Sequence, residues 1–327
     1  MDIPNCWRRR TLLSWLLLPG AGLFFLISTL RRHWQKRFAW RPPRPLIIVG
    51  NLSVGGNGKT PLVSALARAL QSEGFQVGII SRGTGGHTRS PRLVFRDSDP
   101  HQVGDEPLLL ALETGLPVAV GRSRRAAIEL LLRQQPQIQV LLSDDGLQHY
   151  RLRRDVEIIA LAPDFGLGNG FLLPAGPLRE LPSRRADALV MTAAGPQDEA
   201  RQLSEVWPLY GTKRFIQLHR ADGTAVDWAE LAPPFYGLTA IARPERFRRL
   251  LEQQLDCPLS GWQTRPDHSH FRLADLDFAS AGTLLVTSKD AVKLPYRPNL
   301  VVVSYSLQLP RELVEQVKAL LAPPPAP

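Results

Sequence analysis

The sequence predicts a mostly parallel α/β sheet covered by helices, followed by a smaller second α/β lobe. Three observations carry this. Short, fully apolar runs alternate with segments of helical spacing from residue 45 onward. The first such junction is a glycine-rich turn ending in Lys-Thr. After about residue 205 strand-like runs persist, but Pro- and Arg-rich connections separate them. Strands that are apolar throughout are buried on both faces, the pattern of a parallel sheet between helical layers.

The first strand is Pro45-Leu46-Ile47-Ile48-Val49, and residues 62–70 have helical apolar spacing. Further strands are expected at 76–81, 116–120, 138–142, 155–161 and 186–191, with helices starting near 104 and spanning 123–133. In the second lobe the strand-like runs are 214–219, 235–241, 283–287 and 300–305. A chain of 327 residues is long enough for two domains. The expected division is 1–40, an N-terminal membrane-associated helical segment; 41–205, the core; and 206–327, the smaller lobe with a Pro-rich tail.

The turn reads Ser53-Val54-Gly55-Gly56-Asn57-Gly58-Lys59-Thr60. Strand, glycine-rich turn, Lys-Thr and helix in that order make a phosphate-binding loop, so the fold expected is P-loop NTPase-like. Gly55, Gly56, Asn57 and Gly58 let backbone N–H groups close around phosphate oxygens, and the helix N-terminus adds partial positive charge. Lys59 can reach the β- and γ-phosphates of a nucleotide, and Thr60 can hold a magnesium ion. Ser53 stands where the strict pattern has glycine. Val54 stands where membrane-targeting nucleotide-switch ATPases and GTPases place lysine, which argues against that alternative.

Asp144 and Asp145 end a buried strand downstream of this loop, the place of an acid that completes a magnesium site. Gln148 and His149 follow on the same rim; His149 alone reads equally as a surface histidine. Asp105 opens a helix, either as a cap or as a general base for a hydroxyl nucleophile, and Asp267-His268 offers it a partner from the far lobe. Arg179 ends the proline-rich loop Leu173-Pro174-Ala175-Gly176-Pro177-Leu178-Arg179-Glu180, as a plain surface turn or a phosphate contact.

The net charge is +10, but residues 1–44 hold nine Arg and Lys against Asp2 alone, so the rest is nearly neutral. A nucleic-acid binder would spread its basic residues over a folded face, so none is expected as a partner. Cys6 and Cys257 give no metal spacing. Residues 11–30 carry no charge, lack a cleavage site and are bracketed by Arg; Pro19-Gly20 breaks the run. A signal peptide, a single span and an interfacial segment compete. The interfacial reading, as one helical segment or two short helices on an anionic membrane surface, fits best.

Together, residues 49–61, Ser81-Arg82-Gly83, Val103-Gly104-Asp105-Glu106-Pro107, Asp144-Asp145-Gly146-Leu147-Gln148-His149, residues 172–180, Asp267-His268 and residues 287–293 resemble the tetraacyldisaccharide 4′-kinase family. Thr84 and Ser288 depart from its common residues. The resemblance implies an enzyme that phosphorylates the 4′-hydroxyl of a lipid disaccharide with ATP and Mg2+, at the cytoplasmic face of the inner membrane. A monomer is expected, though the sequence does not fix the oligomeric state. It implies Lys59 and Thr60 on nucleotide and metal, Asp144 and Asp145 at the metal, Asp105 as base assisted by His268, and Gln148, His149 and Arg179 near phosphate or substrate.

Overall fold

The computed structural model describes residues 4–55, 58–162, 166–192, 203–267, 269 and 271–321. The first sheet uses β1 (Leu46–Gly50), β2 (Val77–Ser81), β3 (Arg92–Val94), β4 (Val118–Val120), β5 (Val140–Asp144), β6 (Val156–Leu161), β7 (Ala188–Met191) and β8 (Leu209–Gly211). Their order is β3-β4-β2-β5-β1-β6-β7-β8, and only the edge pair β3–β4 is antiparallel. Helices α1 (Asn5–Arg8), α2 (Leu12–Leu16) and α3 (Leu18–Arg37) precede the sheet. Between its strands run α4 (Lys59–Ser72), α5 (Pro100–Val103), α6 (Asp105–Thr114) and α7 (Arg124–Gln134).

The central strand β1 is completely buried, and its side chains alternate between two cores. Ile47 and Val49 meet Leu62 and Leu66 of α4, Leu110 of α6, and Leu313 and Val317 of the C-terminal helix. Leu46 and Ile48 meet Ile128 and Leu131 of α7, Leu147, Leu172 and Trp207. Each such aliphatic side chain contributes about 1.5–3 kcal/mol on burial. This double burial is what an unbroken apolar strand requires. It places the carboxyl ends of β1 and β5 together, with Val49 beside Asp144 in register.

The second sheet uses β9 (Lys213–Arg220), β10 (Ala225–Val226), β11 (Phe235–Thr239), β12 (Gly261–Thr264), β13 (Thr283–Thr287) and β14 (Leu300–Gln308), in the order β10-β9-β14-β13-β11-β12. The helix Pro244–Leu255 packs Phe247 and Leu251 onto this sheet. The change of sheet falls at Thr212, beyond the division expected at 205, because β8 still pairs with β7. The C-terminal helix Arg311–Leu321 returns to the first sheet, where Gln316 Nε2 donates to the Asp187 carbonyl at 2.8 Å. Residues 206–327 therefore do not close on themselves.

The N-terminal run differs from two short helices: α2 is short, but α3 has 20 residues. The junction is Leu17, and Pro19 occupies the first turn of α3, where its missing donor costs nothing. Among the described residues no helix is long and apolar enough to cross a membrane. One side of the segment is fixed to the core. Ala21, Leu17, Leu18 and Phe24 pack on the α7 face of the sheet. Trp7 Nε1 donates to the Pro174 carbonyl at 2.9 Å, and buried Asn169 donates to the Cys6 and Ala175 carbonyls at 2.6 and 2.9 Å. The other side exposes Leu23, Leu26, Ile27, Leu30 and Trp34, each more than half accessible, at the spacing of one helical stripe.

Candidate functional site

Gly58 adopts φ 69°, and a Cβ there would lie 2.8 Å from Thr192 Oγ1, so glycine alone fits the last turn before α4. Buried Asn51 shapes the loop from inside: its Nδ2 donates to the Ser53 carbonyl at 2.6 Å and its Oδ1 accepts from Lys59 Nζ at 3.3 Å. Lys59 Nζ also lies 3.4 Å from Asp145 Oδ1. Thr60 follows on α4, lining the same cleft. Gly56 and Asn57 lie outside the described residues.

Asp144 ends β5 and is 1% exposed; neither carboxylate oxygen has a hydrogen-bond partner among the described residues. Burial, then Glu106 and Asp145, push its carboxyl up to about 7, against Lys59 and Arg124. Two buried acceptors without donors suit a cation. Among the described residues no three His, Cys, Asp or Glu side chains cluster as a cage. Magnesium keeps waters and substrate oxygens, so one carboxylate and the Thr60 hydroxyl fit it without a cage. Asp145 sits in the left-handed region, φ 48°. Its carboxylate meets Lys59 and, at 4.0 Å, Arg179. Burial alone would raise its pKa, but these cations hold it below the usual value. Arg124, 3% exposed, donates to the Asp144 and Asp145 carbonyls at 3.2 and 3.4 Å and fixes the strand end.

Asp105 is the first residue of α6, with Gly104 as the cap. It is 4% exposed, and its Oδ1 accepts from the Glu106 N–H at 3.0 Å. Two lysines of the second lobe approach Oδ2: Lys289 at 3.8 Å and Lys293 at 3.9 Å. Lys289 also meets Glu106 at 3.1 Å and Asp267 at 3.5 Å. Burial opposes its charge, but these three acids outweigh it and raise its pKa. Lys293 is anchored 3.1 Å from fully buried Asp290, which accepts from Thr239 and Thr287 hydroxyls at 2.7 Å each. The second lobe thus sets two lysines against Asp105 beside the cleft. His268 lies outside the described residues.

A cavity of about 430 Å³ separates the lobes, lined by Gly55, Gly58, Lys59, Thr60, Glu106 and Asp145 on one side and by Arg243, Asp267 and Lys289 on the other. Asp105 is covered by Lys289 and does not itself line it. A groove of about 540 Å³ lies under α3, between Phe24, Phe25 and Ile27 and the loop through Leu172, Leu173 and Leu181. Arg179 lines both spaces, and Gln148 lines the groove while donating to the Asn51 carbonyl at 3.1 Å. Burial, then Arg124 and its neighbouring arginines, push His149 down to about 4, so its imidazole is neutral at pH 7.

The fold therefore gathers Gly55, Gly58, Lys59, Thr60, Asp145 and Arg179 at one cleft, with Asp144 beneath it and Asp105 at its edge. Sequence reasoning assigned no role to Asn51, Arg124, Lys289 or Lys293. The last two carried a signal, lysines four residues apart at the end of a buried strand.

One consequence is a pH slope. The folded pKa of Asp144 lies above its unfolded value of 3.8, so the folded state binds the extra proton between the two. Metal-free protein is expected to lose a contribution on the order of a few kcal/mol as pH rises from about 4 through about 7. Asp144→Asn should flatten that slope in thermal melts; an unchanged slope would refute the assignment.

A family model described as Tetraacyldisaccharide-1-P 4′-kinase matches residues 13–322. A tetraacyldisaccharide 4′-kinase of Dichelobacter nodosus is 43% identical, over 97% of this chain and 96% of its own. That of Pasteurella multocida is 46% identical over 88% of each. A crystal structure of the "apo" form of LpxK from Aquifex aeolicus in complex with ATP superposes with a TM-score of 0.78 at 28% identity, covering 95% of this chain and all of that one. On this likeness in sequence and fold, the chain belongs to the tetraacyldisaccharide-1-P 4′-kinase family.

Proposed function

We propose that this protein transfers the γ-phosphoryl group of ATP to the 4′-hydroxyl of a tetraacyldisaccharide 1-phosphate, a step of lipid A biosynthesis. The observation that supports this most is the meeting of Lys59, the donor-free Asp144 and the lysine-held Asp105 around one interlobe cleft, in a chain of this family.

Each residue has a distinct task. The backbone of the loop ending at Gly58 binds the triphosphate, and Lys59 neutralises charge that builds on the transferred group. Lys59 stands ready because Asn51 and Asp145 hold its ammonium in place. Thr60 and Asp144, with Asp145 beside them, would hold magnesium, which when bound screens the phosphate oxygens from the incoming hydroxyl. Asp105 takes the hydroxyl proton, and His268 assists it. Lys289 and Lys293 hold the Asp105 side chain in place until the acceptor displaces the outer lysine. Arg179 spans the nucleotide cleft and the groove under α3, so it suits the junction of phosphate donor and sugar acceptor.

The groove and exposed stripe of α3 suit a lipid substrate, which brings the chain to the inner membrane surface. The inner side of this segment belongs to the core, so deleting it would damage the fold. Leu23, Leu26 and Leu30 changed together to Ser are expected to release the protein from anionic vesicles in sedimentation. Each leucine loses about 1.5–3 kcal/mol of burial, and the melting temperature should hold because all three are exposed. Full retention on vesicles would refute the stripe as the anchor.

The reaction itself is tested by ADP release from the purified chain in neutral mixed micelles. Release should require the lipid acceptor. Equal release without acceptor would favour a nucleotide-switch ATPase instead.

A further inference from the structure

Lys289 of the second lobe lines the nucleotide cleft across from Lys59. Its backbone is held firmly. It follows the fully buried strand β13, and the neighbouring Asp290 N–H donates to the Thr287 hydroxyl at 3.2 Å. Its side chain is committed to no single partner. The ammonium is shared among Glu106 at 3.1 Å, Asp267 at 3.5 Å and Asp105 at 3.8 Å, and the side chain stays 19% exposed. Lys293 differs. It is 1% exposed, lies outside the cleft lining, and meets Asp290 and the Ser269 carbonyl at 3.1 Å each. Lys293 is a fixed post, whereas Lys289 is a compact charge on a flexible four-carbon stem with room to turn.

Two arguments give Lys289 a second position. The first is charge. Glu106, Asp145 and Asp267 line the cleft, and Asp105 stands at its edge. A triphosphate entering there meets acids on both walls. Lys293 is matched by Asp290 and Lys59 by Asp145. Lys289 is the cation set among the other three acids. Burial opposes its charge, but Glu106, Asp105 and Asp267 together raise its pKa above the usual lysine value, so it meets the substrates as an ammonium. The second argument is distance. A base lies roughly 3 Å from the hydroxyl it deprotonates, and that oxygen lies roughly 3–3.5 Å from the atom it attacks. The transferred phosphorus therefore comes within about 6 Å of Asp105. The Lys289 ammonium starts 3.8 Å from the same carboxylate, on its cleft side. Rotation about the bonds of its stem brings it onto the phosphoryl oxygens.

Resting on the kinase reading above, we propose that Lys289 is a further catalytic residue: as the acceptor hydroxyl reaches Asp105, the ammonium leaves that carboxylate and donates hydrogen bonds to the γ-phosphoryl oxygens in transfer. Asp105 takes the hydroxyl proton, and the hydroxyl oxygen bonds to the γ-phosphorus. The bond from that phosphorus to the bridging oxygen breaks, and its electron pair leaves with ADP. Lys289 gives up no proton. Lys59 and Lys289 then hold the transferred group from the two lobes, where charge builds in the transition state.

The test measures transfer from ATP, with Mg2+, to the tetraacyldisaccharide 1-phosphate in neutral-detergent micelles. Lys289→Ala should lower kcat at saturating ATP and acceptor about 10²-fold, the scale of one lost donor at a developing charge. Acceptor KM should stay within about threefold, the pattern of a contact made only in the transition state. Lys289→Met, which keeps the length without the charge, should be as slow. Added ethylammonium should raise the kcat of Lys289→Ala at least about tenfold, along a saturating curve, without moving its melting temperature. A kcat within about threefold of the intact chain would overturn the inference. So would a rate that ethylammonium leaves unchanged, or one that returns only together with the melting temperature, which would make Lys289 a tie between the lobes. ADP release by the intact chain that ignores the lipid would instead remove the kinase reading, and this inference with it.

Discussion

Asp105→Asn is expected to lower kcat about 10³-fold while leaving ATP affinity intact, the scale of a lost general base. The carboxamide keeps the size of the side chain and the contact with the Glu106 N–H, but it cannot accept the hydroxyl proton. The fold should tolerate the change. Lys289 retains Glu106 and Asp267, and Lys293 retains Asp290 at 3.1 Å. Single-turnover rates at saturating acceptor, read beside nucleotide titration and a melting curve, separate the outcomes. A rate near that of the unaltered chain would exclude Asp105 as the base. A fall in both rate and melting temperature would make it a structural tie between lobes.

Lys59→Ala should be as damaging but in a different pattern, with kcat lower by about 10²–10³-fold and nucleotide affinity lowered too. Lys59 Nζ lies 3.4 Å from Asp145 Oδ1 and lines the cleft proposed to take the phosphates. Without it Asp145, a half-buried side chain, keeps Arg179 at 4.0 Å. An unscreened carboxylate would then repel the triphosphate, so lost affinity accompanies lost rate. Fluorescence titration with a nucleotide analogue checks this. Undiminished binding would place the lysine outside the phosphate site.

The two substitutions differ because the groups they remove were legible to different degrees. Lys59 and Thr60 are local: strand, turn and helix lie within a few residues, and β1 and α4 form where the apolar pattern puts them. Asp144 was legible because four buried residues lead to it along β5. The setting of Asp105 was not. Lys289 reaches Glu106 across 183 residues, and only the pairing of β13 with β11 and β14 brings it there. The short edge strands β3 and β8 have mixed burial and offer no periodicity to read. The exposed N-terminal leucines were visible as an apolar run, but its length suggested more than its burial delivers. The run ends at Leu30, whereas α3 continues through Arg31 and Arg32 to Arg37, because a surface helix needs one apolar side rather than an apolar sequence. Asn169 lies in a stretch to which sequence reasoning assigned no role. In the fold it ties α1 to the proline-rich loop that presents Arg179.

The most direct measurement is the fate of the γ-phosphorus of labelled ATP, incubated with magnesium, the purified chain and the tetraacyldisaccharide 1-phosphate. Label should appear at the 4′ position of the lipid, one per molecule, and should vanish from it with Asp105→Asn. Label found only as inorganic phosphate, at the same rate with or without the lipid, would contradict transfer to a sugar hydroxyl.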